Sequence, residues 1–161
     1  MLGSSRRSDR GKLIWLNILA CPRKPGRRGD FHKSANGFFA NENALKLISE
    51  ASNRKLLTSI VSIEGREKEA FSQFWVQNFV DCMDRENTVA GPPGIYSGKI
   101  GVIKKLVIDE ARWDGSDLFV VPEDPSSTMV CTERFVDQWR LEKLRGAQFS
   151  RFRFDPDPIQ A

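Results

Sequence analysis

Histidine and tyrosine are almost absent from this sequence: His32 and Tyr96 are the only ones. A single imidazole excludes any site built on two histidines and most histidine-rich metal sites. Cysteine is scarce as well. The three cysteines stand at 21, 82 and 131, an odd count at spacings that match neither a zinc ligand set nor a CxxC pair. They read as free thiols in a reducing compartment. Long apolar runs are missing too. The longest, from Leu13 to Cys21, is interrupted by Asn17 and falls far short of the ~20 residues a membrane span needs. Arg23 and Lys24 follow it where a secretory leader would place small residues. The expectation is a cytoplasmic protein. The Gly91 to Gly101 stretch contains neither Gly-Lys-Ser/Thr nor Gly-x-Gly-x-x-Gly, so it reads as a loop, not a nucleotide cradle. No Ser/His/Asp set can be assembled around His32.

What the chain does hold is rings and unevenly placed charge. Eleven Phe and four Trp in 161 residues predict a core built on aromatic side chains. That length suits one domain. The net charge of +4 conceals an asymmetry. Residues 1–40 carry nine Lys/Arg against two Asp/Glu, and residues 41–161 carry sixteen against nineteen. A basic N-terminal region is compatible with a nucleic-acid-binding arm over residues 6–33, or with a solvated chain end. As a phosphate-contacting loop, Pro22 to Gly29 has only Phe31 and His32 as nearby ring partners. Residues 1–12 are Ser/Arg/Gly-rich without periodicity and read as disordered, and 155–161 as a Pro-containing tail. Residues 13–154 then form a single domain.

Periodicity assigns most of that domain. Leu13 to Leu19 reads as a strand. Asn41 is a good N-cap, with apolar positions Ala44, Leu45, Leu47, Ile48 and Ala51 behind it, which predicts a helix over about 41–53. Strands are expected at 56–63, 71–80, 100–108 and 118–121, with extended chain at 128–131. A second helix is capped by Thr132, presents Phe135, Val136, Trp139 and Leu144, and ends with Gly146 as its C′ residue. A last strand covers 148–154. The class is α+β: one mostly antiparallel sheet of about five strands with two main helices packed on it.

The stretch from Phe71 to Asn87 joins the most core-forming bulk to the most concentrated polar chemistry. An aromatic run with apolar residues on both parities reads as a central strand covered on both faces. It breaks into an acidic loop at Asp81, Asp84 and Glu86. Asp81, Asp84, Glu86 and Asn87 have the chemistry to hold a hard cation, although their spacing is not that of a calcium loop. Capping of the loop and pairing with Arg85 is the structural alternative. Val80-Asp-Cys-Met-Asp-Arg85 also resembles the tail of the signature of Sac-type phosphoinositide phosphatases. The catalytic thiol of that signature falls at Phe79, and Cys82 is only three residues before Arg85, too few to close a phosphate loop. Acidity and loop position together mark Asp81, Asp84 and Glu86, with Asp109, Glu110 and Asp114, as candidate contacts for a protein partner. No residue set for catalysis, metal or cofactor emerges.

The order of the short motifs points to a family. Asn78-Phe-Val-Asp-Cys-Met-Asp84 is followed by Ile103-Lys-Lys-Leu-Val-Ile-Asp109 and Leu118-Phe-Val-Val121. The chain then closes with Val130-Cys-Thr-Glu-Arg-Phe-Val-Asp-Gln-Trp139 and Leu144-Arg-Gly-Ala-Gln-Phe149. Over residues 38–154 this resembles the immunity-protein domain of bacterial polymorphic toxin systems first recognised in a myxobacterial protein (immunity protein eleven-like). That family's pattern has a strand ending in Asn-Val-x-Asp-x-x-Asp. It also has a Val-Ser-Glu helix start and a helix that stops before Leu-x-Gly-x-x-Phe. Here Cys131-Thr132-Glu133 replaces the Ser-Glu cap, and Arg85-Glu86-Asn87 replaces the usual Lys or Ser. The first 37 residues have no counterpart. The resemblance implies a non-catalytic protein without cofactor, whose partner is a cognate toxin that it neutralises by occlusion.

Overall fold

The computed structural model describes residues 15–20, 29–34, 37–93, 100–101, 103–123 and 129–151. The stretches expected to be disordered ends, 1–12 and 155–161, lie outside the described residues, as does most of the basic loop, 22–28.

The elements follow in the order β1 (Trp15–Ala20), β2 (Phe31–Ser34), β3 (Gly37–Asn41), α1 (Glu42–Ala51), β4 (Leu56–Val61), β5 (Phe71–Val76), β6 (Val89–Ala90), β7 (Ile103–Lys105), β8 (Leu118–Val120), β9 (Met129–Thr132), α2 (Glu133–Leu141) and β10 (Ala147–Arg151). The α+β class holds, with two helices and antiparallel pairing between all named strands. The strands divide into two four-stranded sheets, β10-β1-β9-β8 and β2-β3-β5-β4, and a two-stranded ribbon, β6-β7.

Both helices begin where local hydrogen bonding dictates. The Asn41 side chain accepts from the Ala44 amide at 3.0 Å, and the Thr132 hydroxyl accepts from the Phe135 amide at 3.3 Å. Each satisfies a donor that the first turn leaves unpaired. Both helices end alike. After α1, Asn53 N donates to Glu50 O and Arg54 N to Ser49 O. After α2, Lys143 N donates to Arg140 O and Leu144 N to Trp139 O. These are Schellman closures, with Asn53 (φ 55°) and Lys143 (φ 56°) in the left-handed C′ position. Lys143, not Gly146, therefore closes α2. Gly146 (φ 101°) is needed elsewhere: a Cβ there would lie 2.2 Å from the carbonyl oxygen of Phe31, so β2 and the chain entering β10 approach each other through it.

The main core lies between the helices and both sheets. Phe31, Phe38 and Phe74 from the second sheet meet Trp139 and Phe135 of α2, with Ala44 and Ile48 of α1 beside them. Phe31 stacks edge-on against Trp139 at 6.0 Å and lies 5.8 Å from Phe38.

Strands β8 and β9 are buried at every position. Alternation explains this. Leu118, Val120, Met129 and Cys131 face the main core, whereas Phe119, Val121 and Val130 face a second one. That second core is completed by Val80, Cys82, Met83 and Leu106. The loops carrying the acidic residues are thus bolted onto the far face of the first sheet.

The aromatic strand is interior to its sheet, as expected, but it stops at Val76 and does not run to Val80. Beyond it, Asn78 O accepts from Val120 N and Val80 N donates to Val120 O, so the same chain reaches the first sheet in a parallel bridge. Its expected cover on both faces is incomplete: Trp75 is 43% and Phe79 47% exposed.

Candidate functional site

The six acidic residues singled out by loop position lie on two adjoining segments, 81–86 and 109–114. Met83 and Ile108 form an antiparallel bridge, with Asp84 N donating to Val107 O at 2.9 Å and Asp109 N to Cys82 O at 2.8 Å. The structure therefore brings together residues that the sequence separates.

Four of the six carboxylates are engaged within or next to the two segments. Asp84 caps its own turn. One oxygen accepts from the Glu86 and Asn87 amides at 3.0 and 3.1 Å, and the other accepts from the Asn87 side chain at 2.7 Å. The Asn87 side chain, then its backbone N–H, holds the Asp84 carboxyl below the usual carboxylate range. Asp109 accepts from Ala111 N at 3.1 Å and pairs with Arg112 Nε at 2.9 Å. Asp114 accepts from the backbone N–H and hydroxyl of Ser116 at 2.9 and 2.5 Å, which closes the Asp114-Gly115 turn. Asp81 accepts from Arg85 at 2.8 Å, with Arg112 at 3.7 Å. Glu86 and Glu110 are exposed, and their carboxylates form no ion pair among the described residues.

Two arginines frame this surface. Arg85 joins Asp81 to Glu123, and these carboxylates hold its guanidinium firmly protonated. Arg112 donates to Met83 O at 2.7 Å while pairing with Asp109, so it pins one segment to the other. Arg85 stands in the acidic loop itself, and was expected to pair there; Arg112 was not singled out, although it stands only three residues after Asp109. Glu123 carried no signal, because only the parallel bridge at Val120 brings it near Arg85. Asn78 opens the motif that runs to Asp84, but its partners were not legible. It is buried beneath the segment and donates to Ser116 Oγ at 2.8 Å and Leu118 O at 3.1 Å.

Cys82 has no access to chemistry. It is fully buried, and burial, with Asp114 nearby, pushes its thiol up to about 12. Cys131 is buried in the main core and its thiol is raised for the same reason. Among the described residues, no group of three or more His, Cys, Asp or Glu is placed to hold a metal ion.

The basic segment proposed for nucleic acid, residues 6–33, falls largely outside the described residues. Phe31 and His32, the rings next to the basic loop, are committed elsewhere. Phe31 is buried in the main core, and His32 Nε2 accepts from Arg66 Nη1 at 2.8 Å. Arg66 in turn lies 4.4 Å above the ring of Phe71.

Fold and surface together define an α+β protein that presents an acidic, two-segment platform, with no helix among the described residues long and apolar enough to cross a membrane. Comparison with protein-family models finds no match, and comparison with curated proteins finds none.

Proposed function

We propose that this chain is a non-catalytic, immunity-like protein that binds and neutralises a cognate bacterial toxin, with the acidic platform as the docking surface. The observation that carries this reading is the platform's construction. Six carboxylates against two guanidiniums occupy residues 81–86 and 109–114. Backbone pairing and a buried apolar layer hold both segments in place. A fixed surface with an excess of one sign accelerates and orients association with a partner of the opposite sign. The partner on this reading is a toxin domain with a basic face, such as one that itself engages a polyanion. Its own basic groups then meet Glu86 and Glu110, the carboxylates that spend nothing on internal pairing. The motif order, which resembles that of the myxobacterial-type immunity domain, supports the same reading.

The test is coexpression with the product of the neighbouring toxin gene. The expected result is rescue of growth and copurification of the two proteins. Glu86→Lys with Glu110→Lys should weaken copurification while leaving the melting temperature unchanged. Absence of both rescue and copurification rejects the proposal.

A further inference from the structure

A different surface, independent of the toxin reading, is an open strand edge. Strand β4 (Leu56–Val61) pairs with β5 on one side only, and among the described residues nothing pairs with its other edge. Protected edges carry lysine, proline or a bulge. This one carries none: Leu-Leu-Thr-Ser-Ile-Val is uncharged, regular in register over six residues, and exposed from Leu57 to Ile60. Ile60 is 89% and Leu57 58% exposed, and Leu57 stands directly opposite Trp75 on β5.

The charges at the two ends of this edge are opposite. Arg54 and Lys55 precede it and Glu64 follows it, all exposed and without an ion pair among the described residues. An edge that is basic at its start and acidic at its finish is complementary to itself, but only when the second strand runs antiparallel.

We infer that β4 is the contact between two copies of this chain, paired antiparallel about a two-fold axis through Ser59 and perpendicular to the sheet. Such an axis keeps each side chain on its own face of the sheet, so residues of equal parity must stand opposite. Centred on Ser59, the register sets Leu57 of one copy opposite Val61 of the other, and Thr58 opposite Ile60. It also brings the basic start of each edge, at Arg54 and Lys55, towards the acidic finish of the other, at Glu64. The product is one continuous eight-stranded sheet in which the Leu57 and Trp75 patches of the two copies adjoin, and the apolar edge is removed from water.

The test is the mass of the full chain in solution by light scattering after size exclusion, over a concentration series. The expected result is a dimer. Glu64→Arg places like charges together at both ends and should raise the dissociation constant about tenfold. Adding Arg54→Glu to that variant should restore dimerisation, a rescue that a merely misfolded chain would not show. A chain that stays monomeric throughout, a dimer indifferent to Glu64→Arg, or a double variant that remains dissociated overturns the inference.

Discussion

The carboxylate of Asp30 accepts from the side-chain amide of Asn41 at 2.6 Å, the same residue whose oxygen caps α1. The second oxygen of Asp30 accepts from Arg145 N at 2.7 Å, at the entrance to β10. One side chain therefore couples the start of β2, the cap of α1 and the exit from α2. Asp30→Ala leaves the Asn41 amide and a backbone N–H without partners, and the expected cost is about 1–3 kcal/mol. Urea denaturation measures it. An unchanged midpoint would show that solvent replaces both bonds freely.

Two neighbouring positions after α2 should respond to substitution in opposite directions. Lys143 holds a left-handed conformation that glycine adopts without steric cost, so Lys143→Gly should stabilise the chain by up to about 1 kcal/mol. Gly146 has backbone where a methyl would go, so Gly146→Ala should cost at least about 3 kcal/mol. Thermal unfolding of the two variants beside the parent checks both signs.

These two residues also show what a sequence can and cannot disclose. Asn41 and Thr132 were readable as caps because each bonds an amide three residues away, and a bond that short leaves a local pattern. Gly146 followed a helical run and read as its stop. The reason for it lies at Phe31, an approach that no local pattern encodes. The apolar run Leu118–Val121 likewise signalled a strand, and residues 128–131 extended chain, but neither disclosed the second apolar layer behind them. The acidity of 81–86 and 109–114 was plain, whereas their adjacency rests on the bridge between Met83 and Ile108.

Asp84 makes stability depend on pH in a definite sense. Its folded-state carboxyl is held below the ordinary value by the N–H donors of its turn. The charged form therefore adds stability above the unfolded carboxyl range, and that stability is lost as pH falls through the lower, folded value. The parent should melt higher than Asp84→Ala at neutral pH, and the gap should close in acid. A gap that stays constant across the titration would detach the turn from the charge of Asp84.

Burial of Cys82 and Cys131 has a chemical consequence. With the thiols raised above their ordinary value, neither is ionised or reachable at neutral pH. Both should resist alkylation in the native chain and react only as denaturant unfolds it, which peptide mass mapping resolves residue by residue. The raised values also favour the fold while the thiols remain protonated. For Cys82 that contribution fades as pH climbs from the unfolded thiol value towards about 12. Fast labelling of Cys82 at neutral pH would mean that the second core opens readily.

The toxin reading makes its sharpest demand on kinetics. Arg85 and Arg112 already screen Asp81 and Asp109, so those carboxylates contribute less to a distant partner's field than Glu86 and Glu110 do. Exposed charges that lack internal partners act chiefly on the encounter rate. Glu86→Lys with Glu110→Lys should therefore slow association with the toxin roughly tenfold at low salt, with a much smaller change in dissociation. Raising ionic strength should erase most of the difference, since screening over a Debye length of about 10 Å removes the field that these residues supply. Stopped-flow association of the purified pair separates the two rate constants. A loss confined to dissociation, and independent of salt, would place these glutamates inside a desolvated contact and remove the steering role assigned to them.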